Sequence, residues 1–164
     1  MVFLASLVAI ATFSQLNMSQ IGFLPYSQSL SDVWGYVDEA GNEYALVGTF
    51  SGLSIVDISD PSNPQEIFFG EGDLSIWRDI KTWKNYAYVV HDNVFSGFPD
   101  GLLIVDLSTI DSTNISYSNY YPMVTVDTTN YFFQRAHNLY IDENGILYAF
   151  GSNAGIGGVL MFDV

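Results

Sequence analysis

Beyond residue 14 the chain is built from short apolar runs set between clusters of Gly, Asn, Asp, Ser and Pro. The clearest runs are Tyr44–Phe50, Leu53–Ile58, Tyr86–Val90, Leu102–Leu107, Leu147–Phe150 and Val159–Val164. Each is rich in β-branched or aromatic residues and bounded by turn formers, which is how strands read. No stretch in this part sustains an apolar period of 3.6 residues, so little helix is expected.

The runs recur in a fixed order. Ser31-Asp32-Val33, Arg78-Asp79-Ile80 and His137-Asn138-Leu139 each place a polar residue, an Asp or Asn, then an aliphatic. A Tyr-Ala strand follows in each case (Tyr44-Ala45, Tyr86-Ala87, Tyr148-Ala149), and then Ile55-Val56-Asp57, Ile104-Val105-Asp106 or Met161-Phe162-Asp163. The spacing is 25 residues from Asp32 to Asp57, 27 from Asp79 to Asp106 and 25 from Asn138 to Asp163. Between units it varies, 47 residues from Asp32 to Asp79 and 59 from Asp79 to Asn138. Constant spacing within units and variable spacing between them marks a repeat with loop insertions.

A fourth strand is expected ahead of each unit, at Asn17–Phe23, at Asn63–Phe69 and within Tyr120–Val126. The units then fall near 17–62, 63–112 and 113–164. Asp38–Asn42 and Asp142–Gly145 read as turns within units, and Ser59–Pro64 as a link where Pro stops a ladder. The fold expected is all-β: a partial β-propeller of about three four-stranded antiparallel blades, the last incomplete. A β-sandwich is the other architecture such strands could build.

At these residues the chain resembles a known family. Gly52–Pro64 (GLSIVDISDPSNP) is similar to the LVIVD repeat. The order of motifs from Leu16 to Val164 resembles bacterial choice-of-anchor B surface proteins. The resemblance implies an exported β-propeller of unassigned molecular activity, with C-terminal sorting signals that vary among members. Because a ring needs roughly four to eight blades, the chain is expected to be the N-terminal part of a longer protein, or to complete a ring by association.

Val2–Phe13 carries no charge and is shorter than the about 20 residues a membrane span needs. It matches the apolar core of a signal peptide covering residues 1–14, with cleavage after Ser14. The alternative is a buried N-terminal element. Export places the protein outside the cell or on its surface.

Composition narrows the partners. The chain has 164 residues, 18 Asp and Glu against 4 Lys and Arg, and a net charge of −14. Nucleic acid and anionic lipid both require clustered cations, so neither is an expected partner. With 49% hydrophobic residues the chain is not an acidic disordered tail. The absence of Cys excludes disulfides, thiolate metal sites and Cys nucleophiles. The partner expected is a surface or extracellular ligand, protein or glycan.

The repeated polar pairs are the candidate site. First strands of propeller blades line the channel, so Asp32, Arg78, Asp79, His137 and Asn138 could ring its mouth and bind a ligand. The recurring Asp or Asn could equally bond neighbouring backbone. Asp92, Asn93 and Asp100 share one insertion and are weak calcium candidates, since their spacing lacks a D-x-D-x-D-G pattern. No other cofactor is expected. Trp34, Trp77 and Trp83 could stack on sugars or pack between blades. No G-x-S-x-G elbow or metal-binding His motif is present. A binding scaffold is therefore favoured, with a secreted hydrolase or lactonase-like enzyme using a channel cation as the alternative.

Overall fold

The computed structural model describes residues 18–93, 101–110, 114–155 and 157–164; the expected signal segment lies outside them. Four strands form the first sheet: β1 (Leu30–Val37), β2 (Glu43–Thr49), β3 (Gly52–Asp57) and β4 (Gln65–Glu71). The second holds β5 (Arg78–Trp83), β6 (Tyr86–His91), β7 (Leu102–Asp106) and β8 (Ser116–Tyr120). A hairpin of β9 (Met123–Val126) and β10 (Thr129–Phe132) follows. The third sheet is β11 (Asn138–Ile141), β12 (Ile146–Phe150) and β13 (Val159–Asp163).

All pairings are antiparallel between consecutive strands, so each large sheet is a meander. The innermost strands β1, β5 and β11 stand side by side. This is an open arc of three propeller blades; among the described residues no sheet pairs distant units as a sandwich would.

Alternation along the strands explains how blades stack. Leu46 and Ile55, with Tyr44 and Leu53, share one face of blade 1 and meet Ile80, Ala87, Val89, Leu103 and Val105 of blade 2. The opposite face of blade 2 presents Tyr88, Val90 and Leu102 to Leu139, Leu147 and Ala149 of blade 3. Both seams are buried, and removing such apolar area from water is the main force holding blades together. Gly48 lies at the inner corner of the first seam. A Cβ there would sit 2.9 Å from Ser31 Oγ and 3.0 Å from Arg78 Cβ, so a side chain would prise β2 from β5.

Three sequence expectations are corrected. The strand near Asn63–Phe69 does not begin the second unit: as β4 it pairs with β3, so the first sheet runs from Leu30 to Glu71. Among the described residues no strand forms at 18–23. The third copy, sought within Tyr120–Val126, is divided between the end of β8 and β9. Pairing with the neighbouring strand, which sequence order alone does not reveal, decides where a blade ends.

The third Tyr-Ala pair is also displaced. Tyr44 faces Asp57 and Tyr86 faces Asp106, but Asp163 faces Ile146, two residues before Tyr148. The turn of blade 3 closes earlier on a shorter hairpin. Tyr148 keeps the local relation to its turn, donating to Asp142 Oδ2 at 3.1 Å as Tyr44 donates to Asp38 Oδ2 at 3.2 Å.

Among the described residues, the segment from Ser19 to Tyr26 lies over the outer face of blade 1. With Ala45, Val47, Val56 and Ile58 it lines a groove of about 460 Å³. Gly22 is required here, since a Cβ would collide with the Pro61 carbonyl oxygen. Ser54, at the position of Leu103 and Leu160, is buried and linked to Tyr26 Oη at 2.8 Å and Glu66 Oε2 at 2.6 Å. Under a strap that brings a hydroxyl, a serine replaces the leucine of the blade–blade seams.

Candidate functional site

Strand direction sorts the loops onto two ends of the arc. One end carries the turns 38–42, 84–85 and 142–145 and the links 58–64 and 107–115. The other carries the starts of β1, β5 and β11 and every loop that lengthens markedly along the chain. There the connection between second and third strands grows from 50–51 to 92–101 and 151–158, and the link between blades from 72–77 to 121–137. Insertions confined to one face of a repeat array often mark its binding face.

The recurring carboxylates hold neighbouring blades. Asp32 Oδ2 accepts the Ile80 N–H at 3.0 Å, and Asp79 Oδ2 accepts the Leu139 N–H at 2.7 Å. In each case the donor follows the Asp or Asn of the next unit. Asn138 Nδ2 also donates to Asp79 Oδ2, at 3.4 Å. Asp79 Oδ1 takes Lys81 Nζ at 2.5 Å. Burial pushes the Asp32 carboxyl up, with the nearby Asp79 adding to the rise. For Asp79 burial also acts upward, but the Lys81 ammonium and the Leu139 and Asn138 N–H groups outweigh it and hold the carboxyl below its ordinary range.

Arg78 is buried rather than displayed. Its Nε donates to Thr49 O at 2.7 Å, its Nη2 bonds the Asp73 carbonyl, and its backbone N–H donates to Ser31 Oγ at 3.2 Å. The guanidinium ties the end of β2 to the link between blades.

Of the five, His137 and Asn138 are exposed, and His137 turns about half of its side chain to solvent. Its Nδ1 lies 3.1 Å from Asp92 Oδ2, and its ring meets Trp77 at a centroid distance of 5.7 Å. Asp92 is a hub. Its Oδ1 lies 3.1 Å from Ser75 Oγ, its carbonyl accepts Arg135 Nη1 at 2.6 Å, and its N–H donates to Trp77 O at 3.3 Å. Beside it, the Asn93 carbonyl lies 2.5 Å from Nδ1 of buried His91. Asp100 falls outside the described residues. Among the described residues no group of three or more His, Asp or Glu could hold a metal ion.

Neither Ser75 nor Arg135 stands out in the sequence, and nothing there separates the three tryptophans. Ser75 is one short polar residue in a link, and Arg135 follows an insertion of unpredictable path. No periodic signal marks either. Only the fold brings both to Asp92.

No curated protein and no solved structure matches this chain. The model of the LVIVD repeat matches residues 40–69, from the turn before β2 into β4, so the first blade of this arc carries an LVIVD repeat.

Proposed function

We propose that the protein is an exported β-propeller scaffold that binds a surface or extracellular partner through the end of the arc bearing the long loops. The observation that carries this reading is the one-sided growth of the loops around an exposed, hydrogen-bonded cluster of Trp77, Asp92, Arg135 and His137. The inter-blade bonds of Asp32 and Asp79 favour a scaffold over a channel enzyme, because those carboxylates already serve backbone donors. The apolar run Val2–Phe13 supports export.

Two measurements test the reading. N-terminal sequencing of the product secreted by a bacterial host should begin at Gln15. Fluorescently labelled protein should bind intact bacterial cells. Ile76→Asp with Met123→Asp, both exposed on the loop-bearing end, should reduce that binding, while Glu39→Lys at the opposite end should leave it unchanged. Intracellular retention of an uncleaved chain, or equal loss with Glu39→Lys, would refute it.

A further inference from the structure

We propose that Trp77 is a stacking platform for a neutral carbohydrate, with a pyranose ring on the indole and its hydroxyls bonded to Asp92 and Arg135. The proposal rests on the binding-face reading above and names the class of ligand.

The three tryptophans are employed differently. Trp34 donates its Nε1–H to Thr82 Oγ1 at 2.9 Å across the first seam, and Lys81 Nζ sits 4.5 Å from its ring centroid. Trp83 packs against the second core, with Lys84 Nζ 5.6 Å from its ring centroid. Trp77 belongs to neither core and is 53% exposed.

Its backbone is nonetheless fixed. The N–H donates to Ser75 Oγ at 3.1 Å, and the carbonyl receives the Asp92 N–H. Ser75 is fully buried. An exposed aromatic already held in place loses little freedom when a ligand arrives, which favours binding.

Polar groups of both kinds are tied to this position through Asp92, whose N–H bonds the Trp77 carbonyl and whose Oδ2 lies 3.1 Å from the His137 ring that meets the indole. A carboxylate has about four lone-pair sites, so Asp92 retains acceptor capacity beyond Ser75 and His137. Arg135 uses one of its five N–H donors on the Asp92 carbonyl. A pyranose offers a matching surface, with a C–H face for the indole and hydroxyls that donate and accept at its rim. The net charge of −14 disfavours an acidic sugar.

The test uses the full chain with three free probes: cellohexaose, maltohexaose and chitohexaose. Calorimetry should detect saturable binding of at least one, and that sugar should protect tryptophan fluorescence from acrylamide. Trp77→Ala should weaken binding about tenfold or more with an unchanged melting temperature, and Trp77→Phe should weaken it less. Binding that Trp77→Ala leaves intact would overturn the platform. If no hexaose binds but the cell binding sensitive to Ile76→Asp with Met123→Asp persists, the carbohydrate class falls and the binding-face reading stands. If neither sugars nor cells are bound, both fall.

Discussion

Asp79 accepts the backbone N–H of Leu139 at 2.7 Å, and in doing so joins the innermost strands of two blades. Asp32 stands to Ile80 in the same way at 3.0 Å. The apolar seams supply most of the stacking energy but little register, because apolar contact is non-directional. A charged acceptor aimed at one particular N–H supplies that register.

Removing the acceptor should therefore destabilise the arc. Asp79→Ala leaves the buried Leu139 N–H without this partner, a loss of about 1–3 kcal/mol for an orphaned buried donor. Asp79→Asn keeps an acceptor oxygen, as Asn138 does in the third unit, and should lose less. Urea unfolding of the two variants checks the order; equal stability of wild type and Asp79→Ala would show that the Asp79–Leu139 bond does not hold the blades together.

The recurrence of Asp32, Asp79 and Asn138 was legible in the sequence, and so were the three-unit architecture and the Ile-Val-Asp strands. What those side chains bond was open, because it depends on which blades become neighbours. Trp77 and His137 were visible as residue types, but their meeting over Asp92 depends on how the 72–77 and 121–137 links return to one end of the arc. Blade boundaries were misplaced because Phe68 and Phe69 look the same whether their strand closes one sheet or opens the next.

Acid should weaken the fold. Among the described residues four carboxyls are held below their ordinary range: Asp38 by the Asn42 side-chain amide, Asp60 by the Ser62 hydroxyl, Asp142 by the Ile146 N–H, and Asp79 by Lys81 and its N–H donors against the upward pull of burial. A depressed carboxyl contributes stability above its unfolded pKa of about 3.9, and that contribution is lost as pH falls through the folded value. Asp32 acts in the opposite sense: raised by burial, it contributes most when protonated and loses that contribution as pH rises above about 3.9. With four groups against one, the melting temperature should fall below about pH 4. A midpoint that climbs on acidification would contradict this assignment.

At the alkaline end Tyr44 should dominate. Burial, reinforced by the Asp38 carboxylate that accepts its hydroxyl at 3.2 Å, pushes this phenol up to about 12. Its contribution is complete below the unfolded value of about 10 and is lost as pH rises towards 12. Phenolate absorbance should show a late-titrating tyrosine that Tyr44→Phe removes. If the variant titrates like the parent, the turn of blade 1 does not hold Tyr44 as described.

Self-association should depend on the outward face of blade 3. That face carries Tyr140, Phe150, Val159 and Met161, all exposed, opposite the face that meets blade 2. In blade 2 Val90 and Leu102, which stand in the ladder where Phe150 and Val159 do, are buried against blade 3. Among the described residues nothing covers the outward face of blade 3, and a contiguous apolar patch of that kind promotes association. Net charge opposes contact between copies, but at physiological salt it is screened beyond about 8 Å. Light scattering should therefore show oligomers that grow with salt, and Met161→Asp with Tyr140→Lys should shift the population towards monomer. Salt-independent monomers of the parent chain would show that this face does not drive assembly; salt-driven oligomers that persist in the variant would place the contact elsewhere.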